Sequence, residues 1–407
     1  MSAPKRILLV AATTGYQTRM FAEAAERAGV EIVLATDRCH VLEDPWGDRA
    51  LPIRFEDPRS AAEAIAGSTD VDGILAVGDR PAAVAAALAE RLGLRFHLPA
   101  AVAACGDKFT ARERFRAAGL PTPEYYRVPV SEPPPAARFY PCVLKPLGLS
   151  ASRGVIRADD DAGFASAFDR ICRLLEDRDI QRVHEPQNNF IQVERFIPGR
   201  EFALEGVATG GRLQTIALFD KPDPLDGPYF EETIYVTPSR ETAEVQRAIV
   251  DTAAAAVRAL GLTDGPIHAE MRVNESGVWM LEIAARPIGG LCAKAVPGLE
   301  ELLLQHAAGE PIDIAGRRGA SGVMMIPIPR EGVYAGVSGV EEAEAVAGIT
   351  EVAIAAKQGQ RILPLPEGNS YLGFIFARAD SPAEVENALR TAHARLSFEI
   401  LAALPVV

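Results

Sequence analysis

Apolar residues in the first hundred positions fall into short unbroken runs separated by stretches of helical period. Arg6–Ala11 is one such run, residues 17–28 repeat apolar side chains every three to four positions and stop at Gly29, and 31–35 is a second run. Gly73–Val77, followed by 81–92 and closed by Gly93, repeats the pattern. An unbroken apolar run marks a strand covered on both faces. Alternating with amphipathic helices, such strands predict βα units on a parallel, doubly wound sheet. The crest after the first strand is Thr13-Thr14-Gly15 and not Gly-x-Gly-x-x-Gly, so a Rossmann-like fold is expected without a dinucleotide.

Past residue 100 the pattern changes. Residues 107–118 predict a helix with Asp107 at its N-cap and Gly119 past its end. A proline-rich connection, 129–135, precedes a strand at 142–145, a small-residue loop at 147–154 and a helix at 164–175. From 190 to 284 the chain reads as strands at 190–194, 201–208, 212–219, 232–236, 267–273 and 278–284, interrupted by a helix at 241–260. The last hundred residues predict a separate α+β unit, with strands near 322–327, 350–355 and 371–378. Its helix opens on the capping box Ser381-Pro382-Ala383-Glu384, with proline at the first helical position.

Composition narrows the function classes. The chain has 407 residues, 48% hydrophobic and 24% charged, which fits a globular protein of roughly two to three domains. A net charge of −13 argues against nucleic acid or an anionic membrane as partner, while leaving room for a basic pocket around one phosphorylated ligand. Five scattered cysteines without a Cys-x-x-Cys pair fit reduced cytoplasmic thiols better than disulfides or zinc. Lys5-Arg6 and the apolar run behind them read as a first strand, not a signal peptide, and no run is long enough to span a membrane. Of 42 basic residues only six are lysines: Lys5, Lys108, Lys145, Lys221, Lys294 and Lys357. In so arginine-rich a chain, each lysine raises the question of whether a compact ammonium is needed there.

The sharpest chemical feature is the strand pair 267–273 and 278–284, joined by a polar turn with Asn274 and Gly277. Alternation puts His268, Glu270 and Arg272 on one face, and Glu282 of the partner strand can point the same way. Facing carboxylates suit a hard divalent cation. They also suit ion pairs with Arg272 and Arg286 on a half-solvated face, and the residues alone leave both readings open. Lys108 opens a helix and Lys145 precedes the Gly/Ser loop; helix N-terminal amides and small-residue loops both suit phosphate oxygens, as does a lysine ammonium. Glu194-Arg195-Phe196-Ile197-Pro198-Gly199-Arg200-Glu201 reads as a strand running into a bend that can meet a purine edge, with Glu201 free to accept from ribose hydroxyls. Glu231 and Glu232 either grip an ammonium group or remain solvated, and Gly289-Gly290 either offers backbone N–H groups to a carboxylate or merely turns the chain.

Asp107-Lys108, Lys145-Pro146, Ser152-Arg153-Gly154-Val155, Glu194 to Ile197, Glu201, Glu270 and Glu282-Ile283-Ala284-Ala285-Arg286 stand in an order that resembles the ATP-grasp superfamily of ADP-forming carboxylate–amine ligases. The resemblance implies an α/β and α+β molecule. Its Rossmann-like N-terminal domain would span 1–100, its ATP-grasp domain 101–310 with a lid at about 120–193, and its small C-terminal α+β domain 311–407. It further implies that ATP phosphorylates a carboxylate and an amine attacks the acyl phosphate. In that scheme Lys108 and Lys145 hold the phosphates, Ser152 and Gly154 belong to a loop covering them, Glu194, Arg195, Phe196 and Ile197 frame the adenine, and Glu201 binds ribose. Glu270 and Glu282 hold Mg²⁺, with Mn²⁺ as an alternative, and Arg286 stabilises the acyl phosphate. Many members carry Asn where this chain has Ala284, so a water or a third ligand must replace that amide. Together with Gly289-Gly290 and with His268 two residues before Glu270, this departure is similar to the bacterial L-amino acid ligases, which make dipeptides. His268 is then the candidate proton acceptor for the amine. The expected partners are small molecules, with neither nucleic acid nor membrane among them, and a homodimer is compatible. Two other readings keep the same motifs: a carboxylase or nucleotide-pathway ligase, and an ATP-binding protein without catalysis.

Overall fold

A computed structural model describes residues 3–12, 15–37, 50–67, 70–182, 185–314 and 319–402. Thr13, Thr14 and Cys39 lie outside the described residues. The unbroken apolar runs do become strands covered on both sides. β1 (Arg6–Ala11), α1 (Gly15–Ala28), β2 (Glu31–Thr36), β3 (Leu51–Pro52), α2 (Pro58–Ala66), β4 (Gly73–Val77) and α3 (Asp79–Leu92) build a parallel sheet in the order β3-β2-β1-β4. Leu8, Val10, Ile74 and Ala76 pack with α2 and α3, while Ile7, Leu9 and Leu75 pack with α1 on the other face. Gly73 is where this sheet meets the rest of the molecule: a Cβ there would stand 2.1 Å from the Ala307 carbonyl oxygen. Only glycine permits that approach.

Two short helices follow, α4 (Pro99–Cys105) and α5 (Lys108–Ala117), the second capped by Asp107, which accepts from the Phe109 and Thr110 amides. Then comes a sheet of its own. β5 (Tyr125–Pro129), β6 (Cys142–Pro146), β7 (Ile156–Ala158), α6 (Asp161–Leu175), α7 (Arg178–Gln181) and β8 (Phe190–Arg195) give an antiparallel sheet ordered β5-β8-β6-β7, with Phe164, Phe168 and Ile171 of α6 packed on it. The proline-rich connection therefore starts later than expected: β5 ends on Pro129 and is an edge strand, where a missing N–H costs no ladder bond.

The main sheet has eight strands. The elements from residue 200 onward are β9 (Arg200–Thr209), β10 (Arg212–Lys221), β11 (Ile234–Thr237), α8 (Ala243–Leu260), β12 (Gly265–Asn274), β13 (Gly277–Ala284), α9 (Leu299–Ala307), β14 (Ala320–Ile326), β15 (Gly332–Ser338), α10 (Val340–Glu344), β16 (Ile349–Ile354), β17 (Arg361–Ile362), β18 (Gly373–Ala379), α11 (Pro382–His393) and β19 (Ser397–Leu401). The order is β13-β12-β9-β10-β11-β14-β18-β16, and only β17-β15-β19 stand apart. The C-terminal hundred residues are thus not a separate sheet. β11 pairs from Ile234↔Met324 to Thr237↔Ser321, satisfying N–H and C=O groups that an edge strand would leave open. Residue 310 falls between α9 and β14, and the sheet runs on across that division.

One face of this sheet is apolar: Phe202, Leu204, Ile267, Ala269 and Met271 meet Ile249, Ala253 and Val257 of α8. The other face carries the alternate residues of the same strands and opens to a cleft. β13 needs a correction to its register to contribute there. Val278 and Met280 lie in the α8 core, so strict alternation would bury Glu282 with them. A bulge at Leu281 adds one residue: Met271 pairs with Met280 but Glu270 pairs with Glu282, and Ile283 and Ala285 take the core positions.

The seam between the N-terminal sheet and β12 contains a titratable group. His97 is 1% exposed, its Nε2 lies 3.0 Å from the Pro266 carbonyl oxygen, and burial pushes it down to about 4. The unfolded chain takes up that proton near pH 6.5, so His97 contributes stability that is complete above about pH 6.5 and lost as pH falls toward about 4. Urea-unfolding midpoints should show this loss, on the order of 2 to 3 kcal/mol, and His97→Gln should flatten that part of the acid limb.

Candidate active site

The cleft face is a grid of charges set by strand register. Lys221 of β10 pairs with Glu201 of β9, and Arg272 of β12 pairs with the same Glu201 from the other side. This row reads cation, anion, cation across three strands. Two rows along the same face, past Glu270 opposite Ala203, His268 pairs with Glu205. The side chains complete the pattern. Lys221 Nζ donates to Glu201 Oε1 at 2.8 Å, to Glu270 Oε1 at 3.1 Å, and to Glu232. Arg272 donates to Glu201 Oε2 at 2.9 Å and to the Ile197 carbonyl at 2.7 Å, its guanidinium lying 5.1 Å from the Phe196 ring centre and 5.5 Å from that of Phe230.

Lys221 is almost wholly buried; burial would depress its pKa, but Glu201, Glu232 and Glu270 outweigh it and hold the ammonium well above its ordinary value. Glu270 also faces Tyr235 Oη and His268 Nε2, each at 3.3 Å. His268 Nδ1 donates to Glu205; burial opposes the charged ring, but Glu205 prevails and raises it to about 9. At that value the ring is protonated at neutral pH, and both of its nitrogens face carboxylates. Glu232 is the exception in the grid. Burial and the neighbouring Glu270 push it up to about 7 against the pull of Lys221.

A second knot joins β6 and β8 to α5. Glu194 receives Arg112 Nε at 2.7 Å and Nη2 at 3.3 Å, Lys145 Nζ at 2.6 Å and the Gln192 amide at 2.6 Å. All four acceptor positions of this buried carboxylate are filled; burial opposes its charge, yet Arg112 and Lys145 hold it down at about 2. Glu194 therefore anchors Arg112 and Lys145. Arg195 turns to Glu124 and lies 4.6 Å from the Phe139 ring centre, so its side chain leaves the expected adenine frame. Phe196 and Ile197 stay beside Arg272 at the bend, where Gly199 (φ +128) leaves no room for a Cβ, which would meet the Val273 carbonyl oxygen at 2.3 Å.

The remaining expected residues fall around these knots. Lys108 Nζ donates to the Leu149 carbonyl at 2.8 Å and lies 3.8 Å from Glu282. Ser152 and Gly154 lie in the turn of the 147–154 loop, both with positive φ. Arg286 makes a two-pronged contact with Asp79 of α3, at 2.9 and 3.3 Å, which raises its pKa despite burial. Gly289 and Gly290 begin a 3₁₀ turn, and the preceding Ile288 amide donates to Glu205 Oε2 at 3.1 Å. Reasoning from sequence missed Arg112, Glu205, Asp79 and Tyr235. Lys221 carried a signal in its rarity, and Asp79 one in being an acid in the helix turn right after a buried strand.

For a divalent cation, Glu270 and Glu282 are cross-strand partners on the cleft face and offer hard carboxylate oxygens, a donor set that fits Mg²⁺. Glu201, Glu232 and Glu270 also bring oxygens within 4.8 Å of one another, but the Lys221 ammonium stands among them. Ala284 is buried and supplies no oxygen side chain.

Comparisons with known proteins agree on the architecture. Residues 138–295 match the ATP-grasp domain, 22–95 the ATP-grasp N-terminal domain, and 324–400 the L-amino acid ligase C-terminal domain 2. The crystal structure of an L-amino acid ligase from Bacillus licheniformis superposes with a TM-score of 0.81 and 25% identity, covering 98% of this chain and all of that one. The uncharacterized protein y4rH of Sinorhizobium fredii is 24% identical over 97% of this chain and 83% of its own length. A D-alanine–D-alanine ligase of Gloeobacter violaceus is 30% identical over 195 residues, 44% of this chain and 59% of that protein. Among the described residues no helix is long and apolar enough to cross a membrane.

Removing one member of the Glu194 knot separates anchoring from surface pairing. Glu194→Gln leaves Arg112 and Lys145 without a counter-charge inside the protein and should cost roughly 3 to 5 kcal/mol in denaturant unfolding. Arg195→Ala, two atoms of backbone away but exposed, should stay within about 0.5 kcal/mol.

Proposed function

From the premise that the chain belongs to the ATP-grasp superfamily of ADP-forming carbon–nitrogen ligases, we propose that it activates an amino-acid carboxylate as an acyl phosphate and couples it to the amine of a second amino acid. The observation that carries this reading is the unequal count of charges in the cleft. Lys221, Arg272 and His268 supply three cations, against four carboxylates in Glu201, Glu205, Glu232 and Glu270. Glu232 is the one left near neutrality, at about 7. Glu232 shares its one cation, Lys221, with Glu201 and Glu270, and a buried carboxylate so placed is a receptor for a further ammonium group, which an amino acid brings.

The carboxylate oxygen of the first substrate attacks the γ-phosphorus of ATP, and ADP leaves. Such a transfer needs charge neutralisation and alignment more than covalent help. Lys108 and Lys145 supply positive charge beneath the 147–154 loop; Lys145, with one proton on Glu194, keeps two for phosphate oxygens. Mg²⁺ held by Glu270 and Glu282 would neutralise charge on the transferring phosphoryl group, with water in the position that Ala284 does not fill. Arg286, steadied by Asp79, faces the acyl phosphate. The second substrate's ammonium sits on Glu232 and loses one proton to it; the neutral amine then attacks the carbonyl carbon, and phosphate departs carrying the second proton. A carboxylate near 7 suits that exchange at neutral pH. His268, as imidazolium, keeps Glu270 oriented. Backbone amides at Gly289 and Gly290 are available to the second substrate's carboxylate, and the Phe196–Ile197 bend to the adenine.

The test is a trapping assay. With ATP, Mg²⁺, hydroxylamine and single amino acids, ADP and hydroxamate should appear in equal amounts and only with an acceptable amino acid. AMP and pyrophosphate as products would exclude the mechanism. Arg286→Gln should lower kcat by about 10² to 10³ with ATP binding little changed. Glu232→Gln should raise KM for the amine roughly tenfold, the weight of one charge-assisted hydrogen bond, and leave KM for ATP alone.

A further inference from the structure

The loop over the phosphate cleft is fixed from two sides, and the outer side comes from the far end of the chain. From the cleft, Lys108 holds the Leu149 carbonyl at 2.8 Å. From outside, the segment 363–368 reaches over: the Gly154 amide donates to the Pro366 carbonyl at 2.8 Å, and Arg153 Nε donates to the Glu367 carbonyl at 2.8 Å. The Glu367 carboxylate then takes both prongs of Arg170 on α6, Nη2 at 2.8 Å, while Arg170 continues to Tyr229 Oη. Between α6 and the 363–368 segment lies a groove of about 430 Å³ flanked by Arg153, Arg173 and Asp177. Polar pins hold the two elements together across this groove.

We propose that Glu367 is a positioning residue for the 147–154 loop: the C-terminal segment latches the lid shut through Arg170 and Arg153, so that water is kept from the activated carboxylate until the amine attacks. This rests on the ligase reading of the cleft. An acyl phosphate that meets water returns carboxylate and inorganic phosphate, with ATP consumed and no amide made. A lid pinned from a second domain protects the intermediate in proportion to the fraction of time the pin is closed. The pin is a bidentate, charge-assisted pair, partly exposed, so its loss should loosen the loop without unfolding the protein.

Two measurements on the full-length protein decide the matter. In hydrogen exchange without ligands, Glu367→Ala should speed exchange at the amides of 148–156 roughly tenfold, with β14 and α8 unchanged; Arg170→Met should do the same, and the double variant no more than either. In turnover, the ratio of ADP released to amide formed should rise from near one in the wild type to several in Glu367→Ala, and Glu367→Asp should recover part of the coupling. Unchanged exchange at 148–156 in a folded variant overturns the latch. Faster exchange with an unchanged ratio overturns its role in excluding water. A wild type that releases no ADP with any amino acid sinks the ligase reading instead, and the exchange result still stands or falls alone.

Discussion

Lys221 keeps an ammonium almost entirely out of water, and it can do so only because three carboxylates, two from the strands β9 and β12 and one from the segment just before β11, close around it. An unpaired charge at that depth would cost far more than a domain's whole stability. Everything on the cleft face follows from meeting this demand. β9 must place Glu201 between Lys221 and Arg272, so the registers of β10 and β12 against β9 are fixed together. β12 must then bring Glu270 to the same ammonium, and the bulge in β13 must bring Glu282 opposite Glu270. A slip of one residue in any of these strands would send the charges into the α8 core.

The same demand explains how this chain uses its few lysines. Arg272 and Arg112 sit where a flat fork is wanted: each meets a carboxylate and a backbone carbonyl, and Arg272 lies against two aromatic rings. Lys221 sits where three acceptors converge from different directions on one point, which a planar guanidinium cannot satisfy. Lys145 and Lys108 each give one proton to the protein, at Glu194 and at the Leu149 carbonyl, and have others left to offer. Three of the six lysines thus stand where a compact cation meets several acceptors around the cleft.

Local pattern made much of this legible. Unbroken apolar runs gave the parallel sheet, alternation gave the cleft strands, and Asp107, Glu270 and Glu282 stood in recognisable surroundings. What stayed hidden depends on contacts across long stretches of sequence. Asp79 and Arg286 are 207 residues apart, and Arg170 and Glu367 are 197 apart. No periodicity announces such pairs. The joining of β14 to β11 was hidden for the same reason, because an edge looks alike whether water or another strand completes it. The partners of Glu194 were hidden for a different one: its strand placed it correctly, but which way its carboxylate is satisfied depends on Arg112 arriving from α5.

The distribution of apolar packing decides which of these long-range contacts are rigid. Two large cores each contain residues from the N-terminal sheet and from β9, so Asp79 and the strands it faces are joined through a continuous packed interior. A third core spans β11, β14 and α11, tying the C-terminal strands to the same body. The β5–β8 sheet differs: its core draws almost wholly on residues 126–193, with half-buried Tyr229 packed against it. Packed cores resist small displacements because every atom has neighbours to lose, whereas a hydrogen bond at an open groove exchanges readily with water. Of the domain contacts that converge on the cleft, the one between lid and C-terminal segment is therefore the one that can open without disturbing the charge grid. A site that must admit nucleotide and then exclude water needs its flexible joint there, outside the register that keeps Lys221 buried.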